Sequence, residues 1–144
     1  AQGRKSYAKE IKNAVAKAEL EEIIILPGHI SRMAPAYHAA DIVISASTKP
    51  EAFGRIAVEA GAMGRPVIAT DHGGAQETIM PGESGLLVPP GDPSALCDAL
   101  VHLLGVSQEG RQEIGAKARA YVGARYSIKK MCTDTISLYL FLLE

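Results

Sequence analysis

The chain lacks most of the features that would mark a secreted, membrane-spanning or metal-bound protein. Its 144 residues contain no stretch of 18 apolar residues and no apolar leader, so neither a membrane span nor secretion is expected. Only two cysteines occur, Cys97 and Cys132, too few for a disulfide scaffold. Both fall in apparent helices among apolar neighbours, which leads to the expectation of buried thiols in a reducing compartment, the cytoplasm. Neither sign of charge dominates. Fifteen Lys and Arg against sixteen Asp and Glu give a net charge of −1, which provides no electrostatic case for a nucleic-acid partner. Arg4, Lys5, Lys9, Lys12 and Lys17 make the first helix locally basic, and a solvated face accounts for them. His29, His38, His72 and His102 have no companion four residues away and no cysteine nearby, so no metal site is expected. Ser45 and Ser47 lack the setting of a nucleophile elbow, which leaves a hydrolase triad without support. With no repeat, low-complexity tract or linker, residues 1–144 read as a single domain long enough to bury a core.

What is present is an alternation of two periodicities. Tyr7, Ile11, Ala14, Val15 and Ala18 lie on one helical stripe, and the continuous apolar run Ile23-Ile24-Ile25-Leu26 then reads as a buried strand ended by Pro27-Gly28. The pattern recurs as a helix around Met33 to Ala40, a strand at residues 42–45, a helix from about Gly54 to Met63 and a strand at residues 66–70. A Gly73-Gly74 loop, a short helix near Ala75 to Ile79 and a strand from Gly85 to Val88 follow, with Pro81 to Gly85 as a turn. Continuous apolar strands alternating with helices predict an α/β fold, a parallel sheet covered on both faces.

Three helices close the chain from about residue 93. Asp92 caps the first with Pro93 behind it, and Leu96, Ala99, Leu100, Leu103 and Leu104 form its inward stripe. The second runs from about Ser107 to Arg125 with Ile114, Ala118, Tyr121 and Val122 inward. The third starts near Ser127 and ends apolar almost all round, at Ile136 and from Leu138 to Leu143. Such a helix requires cover on more than one side, either within its own domain or from a second domain.

Chemistry concentrates between Glu51 and Glu59, which are separated by seven residues. Gly54 allows close backbone approach, and the free N–H groups and positive dipole end of the following helix favour an anion such as phosphate. The loop lies after the strand at residues 42–45, on the carboxyl edge of the sheet, where open α/β sheets bind ligands. Glu51 there can reach the hydroxyls of a sugar, and Glu59, early in the helix, can accept from a ribose diol. Taken singly, each carboxylate also fits a solvated loop or helix-surface position, and Arg55 a solvated one. Their joint placement around Phe53-Gly54 argues for a nucleotide-sugar. Gly73-Gly74 serves either close ligand approach or a tight turn, Asp71-His72 either the crevice or a turn, and Glu77 a cap or pair beside that loop.

The segment from Pro27 to Asp92 resembles the donor-binding domain of retaining glycosyltransferases of the GT-B fold, family 4, whose hallmark is Glu, seven residues, Glu. Gly28-His29-Ile30, Ala40-Asp41-Ile42-Val43, Glu51-Ala52-Phe53-Gly54 with Glu59-Ala60, Gly64-Arg65-Pro66-Val67-Ile68-Ala69-Thr70, Gly73-Gly74 with Glu77, Gly85-Leu86-Leu87-Val88 and Gly91-Asp92 follow in that family's order. The resemblance implies a Rossmann-like half of a GT-B fold, with helices on both faces of its parallel sheet. It implies a metal-independent transfer from a nucleoside-diphosphate sugar, a substrate and not a cofactor, with retention of anomeric configuration. By the same resemblance Glu51 is the catalytic residue, touching donor sugar hydroxyls. The amides of Phe53, Gly54 and Arg55 hold sugar and pyrophosphate, Glu59 takes the ribose, and His29 and Ile30 flank the nucleobase.

The family's Arg and Lys that clamp the pyrophosphate lie upstream of the matched region, as does its acceptor domain. The expectation is therefore a partial domain lacking its first strands, inactive alone, with a glycan or lipid-linked acceptor of the cell envelope bound by a missing N-terminal domain. The full-length enzyme is expected in the cytoplasm, peripheral to the inner membrane. An exposed edge on the strand at residues 42–45 would then allow self-association or direct pairing with residues 23–26. Two other readings use the same architecture: a non-catalytic α/β module that binds a nucleotide or partner, and a nucleotide-sugar epimerase.

Overall fold

A computed structural model describes residues 2–143. The chain divides into two compact units, Ala1–Arg32 and Met33–Glu144. The first contains helix α1 (Gln2–Lys17), on whose apolar stripe Val15 is buried and Tyr7 is 64% exposed. Lys9, Lys12 and Lys17 are solvated as expected, whereas the side chains of Arg4 and Lys5 lie outside the described ones. The expected buried strand at residues 23–26 does not form. The amides of Ile23 and Ile24 both turn back to the Leu20 carbonyl, at 3.0 and 2.8 Å, and Ile25 is 83% exposed. A strand is held by a ladder to a neighbour, and among the described residues no strand pairs with this run.

The second unit runs α2 (Met33–Ala39), β1 (Val43–Ser45), α3 (Arg55–Ala62), β2 (Val67–Thr70), α4 (Ala75–Thr78), β3 (Gly85–Val88), α5 (Pro93–Gly105), α6 (Gln108–Arg125) and α7 (Ile128–Leu142). Its strands form a parallel sheet in the order β1-β2-β3, with Ile44 beside Ile68 and Ile68 beside Leu86. Three adjacent strands connected by helices match the 4-5-6 half of the doubly wound order. Period-2 alternation then divides the core into two layers. Val43, Val67 and Ala69 face Tyr37, Ala57, Ala60 and Ile79 on one side, while Ile68 and Val88 meet Leu103, Leu100 and Ile114 on the other.

The helix ends are set by the residues that sequence singled out. Asp92 accepts the Ala95 amide at 3.0 Å with Pro93 in the first turn of α5, and Ser107 and Ser127 cap α6 and α7. Three expectations about burial fail. Leu104 is 59% exposed, because Leu103 takes the position facing the sheet. Cys97 is exposed because it falls off the Leu96-Ala99-Leu100-Leu103 stripe, and Cys132 is exposed because α7 buries none of its residues. The apolar end of α7 is thus not covered within the described residues: Leu138, Tyr139, Leu140 and Phe141 are all more than half exposed. No helix of the described residues is long and apolar enough to cross a membrane.

Ile68 is fully enclosed between β1, β3 and α5, so Ile68→Ala should lower unfolding stability by about 2–5 kcal/mol in a denaturant titration. Ile25→Ala should change it by no more than about 0.5 kcal/mol. Comparable losses at the two positions would contradict the placement of residues 23–26.

Candidate functional site

In a parallel sheet the segments leaving the carboxyl ends of the strands gather on one edge. Here they are residues 46–54 after β1, 71–74 after β2 and 89–92 after β3. A shallow crevice opens between the first two and is lined by Ser45, Ser47, Glu51, Gly54, Thr70 and His72, with alanines behind them.

Gly54 is the hinge of this edge. It adopts a left-handed conformation, φ 74° and ψ 52°, in which a side chain is rarely tolerated, and α3 starts immediately after it with no side-chain cap. The Ala57 and Val58 amides already reach back to the Gly54 carbonyl, at 3.1 and 3.3 Å. Those of Arg55 and Ile56 precede the first intrahelical bond and stand at the positive end of the helix dipole.

The loop carrying Glu51 is held by backbone interlock. The Gly74 amide donates to the Glu51 carbonyl at 2.8 Å. A Cβ on Gly74 would lie 2.4 Å from the carbonyl carbon of Phe53, and one on Gly73 would lie 2.4 Å from the Glu51 carbonyl oxygen. The Gly73-Gly74 pair therefore makes a tight turn, one of the two alternatives inferred from sequence, and its missing side chains admit the backbone of residues 51–53. The half-buried Glu51 carboxylate accepts from the Ser47 hydroxyl at 2.5 Å, which fixes its rotamer toward the crevice. His72 lines the crevice too. Its Nε2 donates to the Ser47 carbonyl at 2.9 Å, leaving Nδ1 buried without a partner among the described residues.

Glu59 sits one turn further along α3 and does not line the crevice. One carboxylate oxygen accepts the Tyr37 hydroxyl at 3.1 Å and the other the Arg55 guanidinium at 2.8 and 3.2 Å. Burial, then the hydrogen bond and charge of Glu59, push the Tyr37 hydroxyl above its ordinary pKa. The hydrogen bond to Glu59, followed by its charge, raises that of Arg55. Arg55 thus turns along the helix toward Glu59, with its side chain 81% exposed. Exposed i, i+4 pairs of this kind are weak and screened by salt, so a ligand can displace it. His29 and Ile30 belong to the first unit, on an irregular, exposed segment after Gly28.

A support for this edge that sequence reasoning missed comes from α6. Tyr126 packs edge-on against Phe53 with ring centroids 5.3 Å apart. The Tyr121 and Tyr126 hydroxyls both donate to the Glu77 carbonyl at the end of α4, at 2.8 and 2.7 Å. Burial, then the neighbouring Tyr121, raises the pKa of Tyr126. The helical stripe of α6 identified Tyr121 as inward; Tyr126 lies one residue past the helix, where periodicity carries no information. Glu77 contributes through its backbone.

A model of the family described as "Glycosyl transferases group 1" matches residues 2–105. The chain belongs to that family. It is 42% identical over 103 residues to a D-inositol 3-phosphate glycosyltransferase of Corynebacterium urealyticum, a match covering 72% of this chain and 24% of that protein. Among solved structures it is similar to a glycosyltransferase from Rickettsia africae, with a TM-score of 0.89 and 33% identity over 96% of this chain and 37% of that one. It is also similar to the Anabaena protein HepE in complex with UDP-glucose, with a TM-score of 0.85 and 30% identity over 94% of this chain and 38% of that one. The chain spans about a quarter to a third of the length of the curated relatives it matches. The sheet and its two helical layers are those of a Rossmann-like half of the GT-B fold.

Gly74→Ala should displace residues 51–53, destabilise the chain by about 1–3 kcal/mol in denaturant and weaken any ligand held at Gly54. A variant as stable as the parent would contradict the interlock. The raised Tyr37 pKa carries its own sign. The folded state keeps the phenolic proton above the pH, near 10, at which the unfolded chain loses it, so this contribution is complete below about pH 10 and is lost as pH rises through the folded value. Tyr37→Phe should therefore show a shallower loss of stability on the alkaline side, measured by melting between pH 8 and 11. An unchanged slope would contradict the assignment.

Proposed function

We propose that this chain is the donor-binding part of a retaining, metal-independent glycosyltransferase that moves a sugar from a nucleoside diphosphate to a glycan or lipid-linked acceptor. The observation that carries this reading is the uncapped start of α3 at Gly54, adjoining a Glu51 carboxylate whose loop is locked by the Gly73-Gly74 turn. The amides of Gly54 and Arg55 hold the pyrophosphate, and Phe53 and Glu51 border the sugar. Glu59 takes the ribose diol, exchanging its bond from Arg55 for ribose hydroxyls and freeing that guanidinium for phosphate charge. UDP is the nucleotide in the HepE complex, which favours a uridine donor.

Transfer in this reading breaks the bond from the anomeric carbon to the phosphate oxygen and forms the acceptor bond on the same face. The acceptor proton passes to the departing phosphate. Negative charge grows on that phosphate while the sugar becomes oxocarbenium-like. Preorganised amides at a helix start lower the barrier by stabilising the first, and Glu51 stabilises the second without forming a covalent bond. The acceptor is supplied by a further domain of the complete enzyme, which works on the cytoplasmic side of the envelope.

Calorimetric titration of the chain with UDP and GDP sugars tests donor binding. One of the two series should bind, and Glu59→Ala should weaken it about tenfold, the scale of losing hydrogen bonds to a charged group. In a longer protein containing this segment, Glu51→Ala should abolish most transfer while the fold is kept, and the product should retain the donor's anomeric configuration. Binding without transfer would favour the non-catalytic module, and an isomerised donor the epimerase. No binding by either protein would end the proposal.

A further inference from the structure

The opposite edge of the sheet, where the strands begin, carries a second feature that donor binding does not use. A groove of about 480 Å³ is bordered by His38, Met63, Arg65, Gln112, Ala116 and Arg119. Its walls come from three elements. His38 lies in the last turn of α2, Met63 and Arg65 form the turn between α3 and β2, and Gln112, Ala116 and Arg119 stand four and three residues apart on one face of α6. No acidic side chain lines it. Asp41 borders the neighbouring hollow, on which Arg65 also opens, but forms no ion pair with Arg65 among the described residues.

Arg65 is the unusual member. Its Nη2 donates to His38 Nδ1 at 3.3 Å, which requires a neutral imidazole accepting at that nitrogen, because a guanidinium has no lone pair to offer. Its Nε is buried and has no partner among the described residues. A buried guanidinium N–H without an acceptor is costly and is normally satisfied. Arg119, exposed on α6, is likewise in neither of the ion pairs found among the described residues. By contrast Arg111, bordering the adjoining hollow, is engaged by the carbonyls of Leu103, Leu104 and Val106.

We propose that this groove is a second anion site, one that binds the phosphoryl group of a ligand other than the sugar donor. Two guanidinium groups and the Gln112 amide give more donors than a carboxylate has favourable acceptor positions for, and they suit an oxyanion with at least three oxygens. Met63 and Ala116 supply an apolar wall for the organic part of a phosphate ester. The site lies across the sheet from Gly54, so its occupation leaves the donor crevice open. A soluble phosphate monoester and the headgroup of an anionic phospholipid present the same group to it.

Amide chemical shifts of the full 144-residue chain, titrated with glycerol 3-phosphate, test the site. Shifts should appear around Met63 to Arg65 and Ala116 to Arg119, and Arg119→Gln should weaken binding about tenfold. Arg65→Gln should do the same; its thermal midpoint checks folding, and the exposed Arg119→Gln decides if Arg65→Gln does not fold. A parallel arm measures co-sedimentation with phosphatidylcholine vesicles with and without phosphatidic acid. Binding that depends on phosphatidic acid and on Arg119 places the phosphate on a lipid, and binding of glycerol 3-phosphate alone places it on a soluble ester. UDP-glucose affinity should be equal in parent and Arg119→Gln, so loss of donor binding alone leaves this proposal standing. Shifts confined to Gly54 and Arg55, equal affinity in folded variants, or no binding in either arm would overturn it.

Discussion

The hydrogen bond from the Gly74 amide to the Glu51 carbonyl, and the close backbone packing around it, is the constraint on which the candidate site rests. Two irregular segments leave adjacent strands and would otherwise be free to move independently. Their interlock sets where Glu51 points and where Gly54 turns, and Gly54 sets where α3 begins. Tyr126 and Tyr121 extend the same support from outside, one pressing on Phe53 and both holding the end of α4. These contacts tie the loop of the proposed site to the sheet beneath it, which is what electrostatic preorganisation requires.

The two acidic residues of the motif are held in different ways. Glu51 is half-buried, oriented by Ser47 and directed at the crevice. Glu59 is satisfied by Tyr37 and by an exposed Arg55, one a permanent neighbour in the packed layer and the other a displaceable one. In the proposed donor complex that carboxylate accepts from the ribose diol once the cation turns to a phosphate.

Much of the second unit was legible in the sequence because its signals are local. Continuous apolar runs at residues 43–45, 67–70 and 85–88 became strands, and Asp92-Pro93, Ser107 and Ser127 marked helix starts within a residue. The run at residues 23–26 has the same composition and no strand, since extended structure depends on a partner that composition does not reveal. Burial of Cys97 and Leu104 was misjudged by one position on a helix face, and α7 by the absence of anything over it. At the site, the glycines and glutamates were visible, but their couplings were not. The Arg55–Glu59 pair, the Ser47 bond to Glu51 and the Tyr126–Phe53 contact depend on side-chain directions and on separations of up to 73 residues along the chain.

The central claim is that the start of α3 receives a sugar-linked diphosphate between two acidic residues. A crystal structure of the chain grown with UDP-glucose tests it most directly. The account predicts diphosphate oxygens within hydrogen-bonding distance of the Gly54 and Arg55 amides, ribose hydroxyls on Glu59 and the hexose beside Glu51. A ligand bound elsewhere, with those amides facing only solvent, would contradict it.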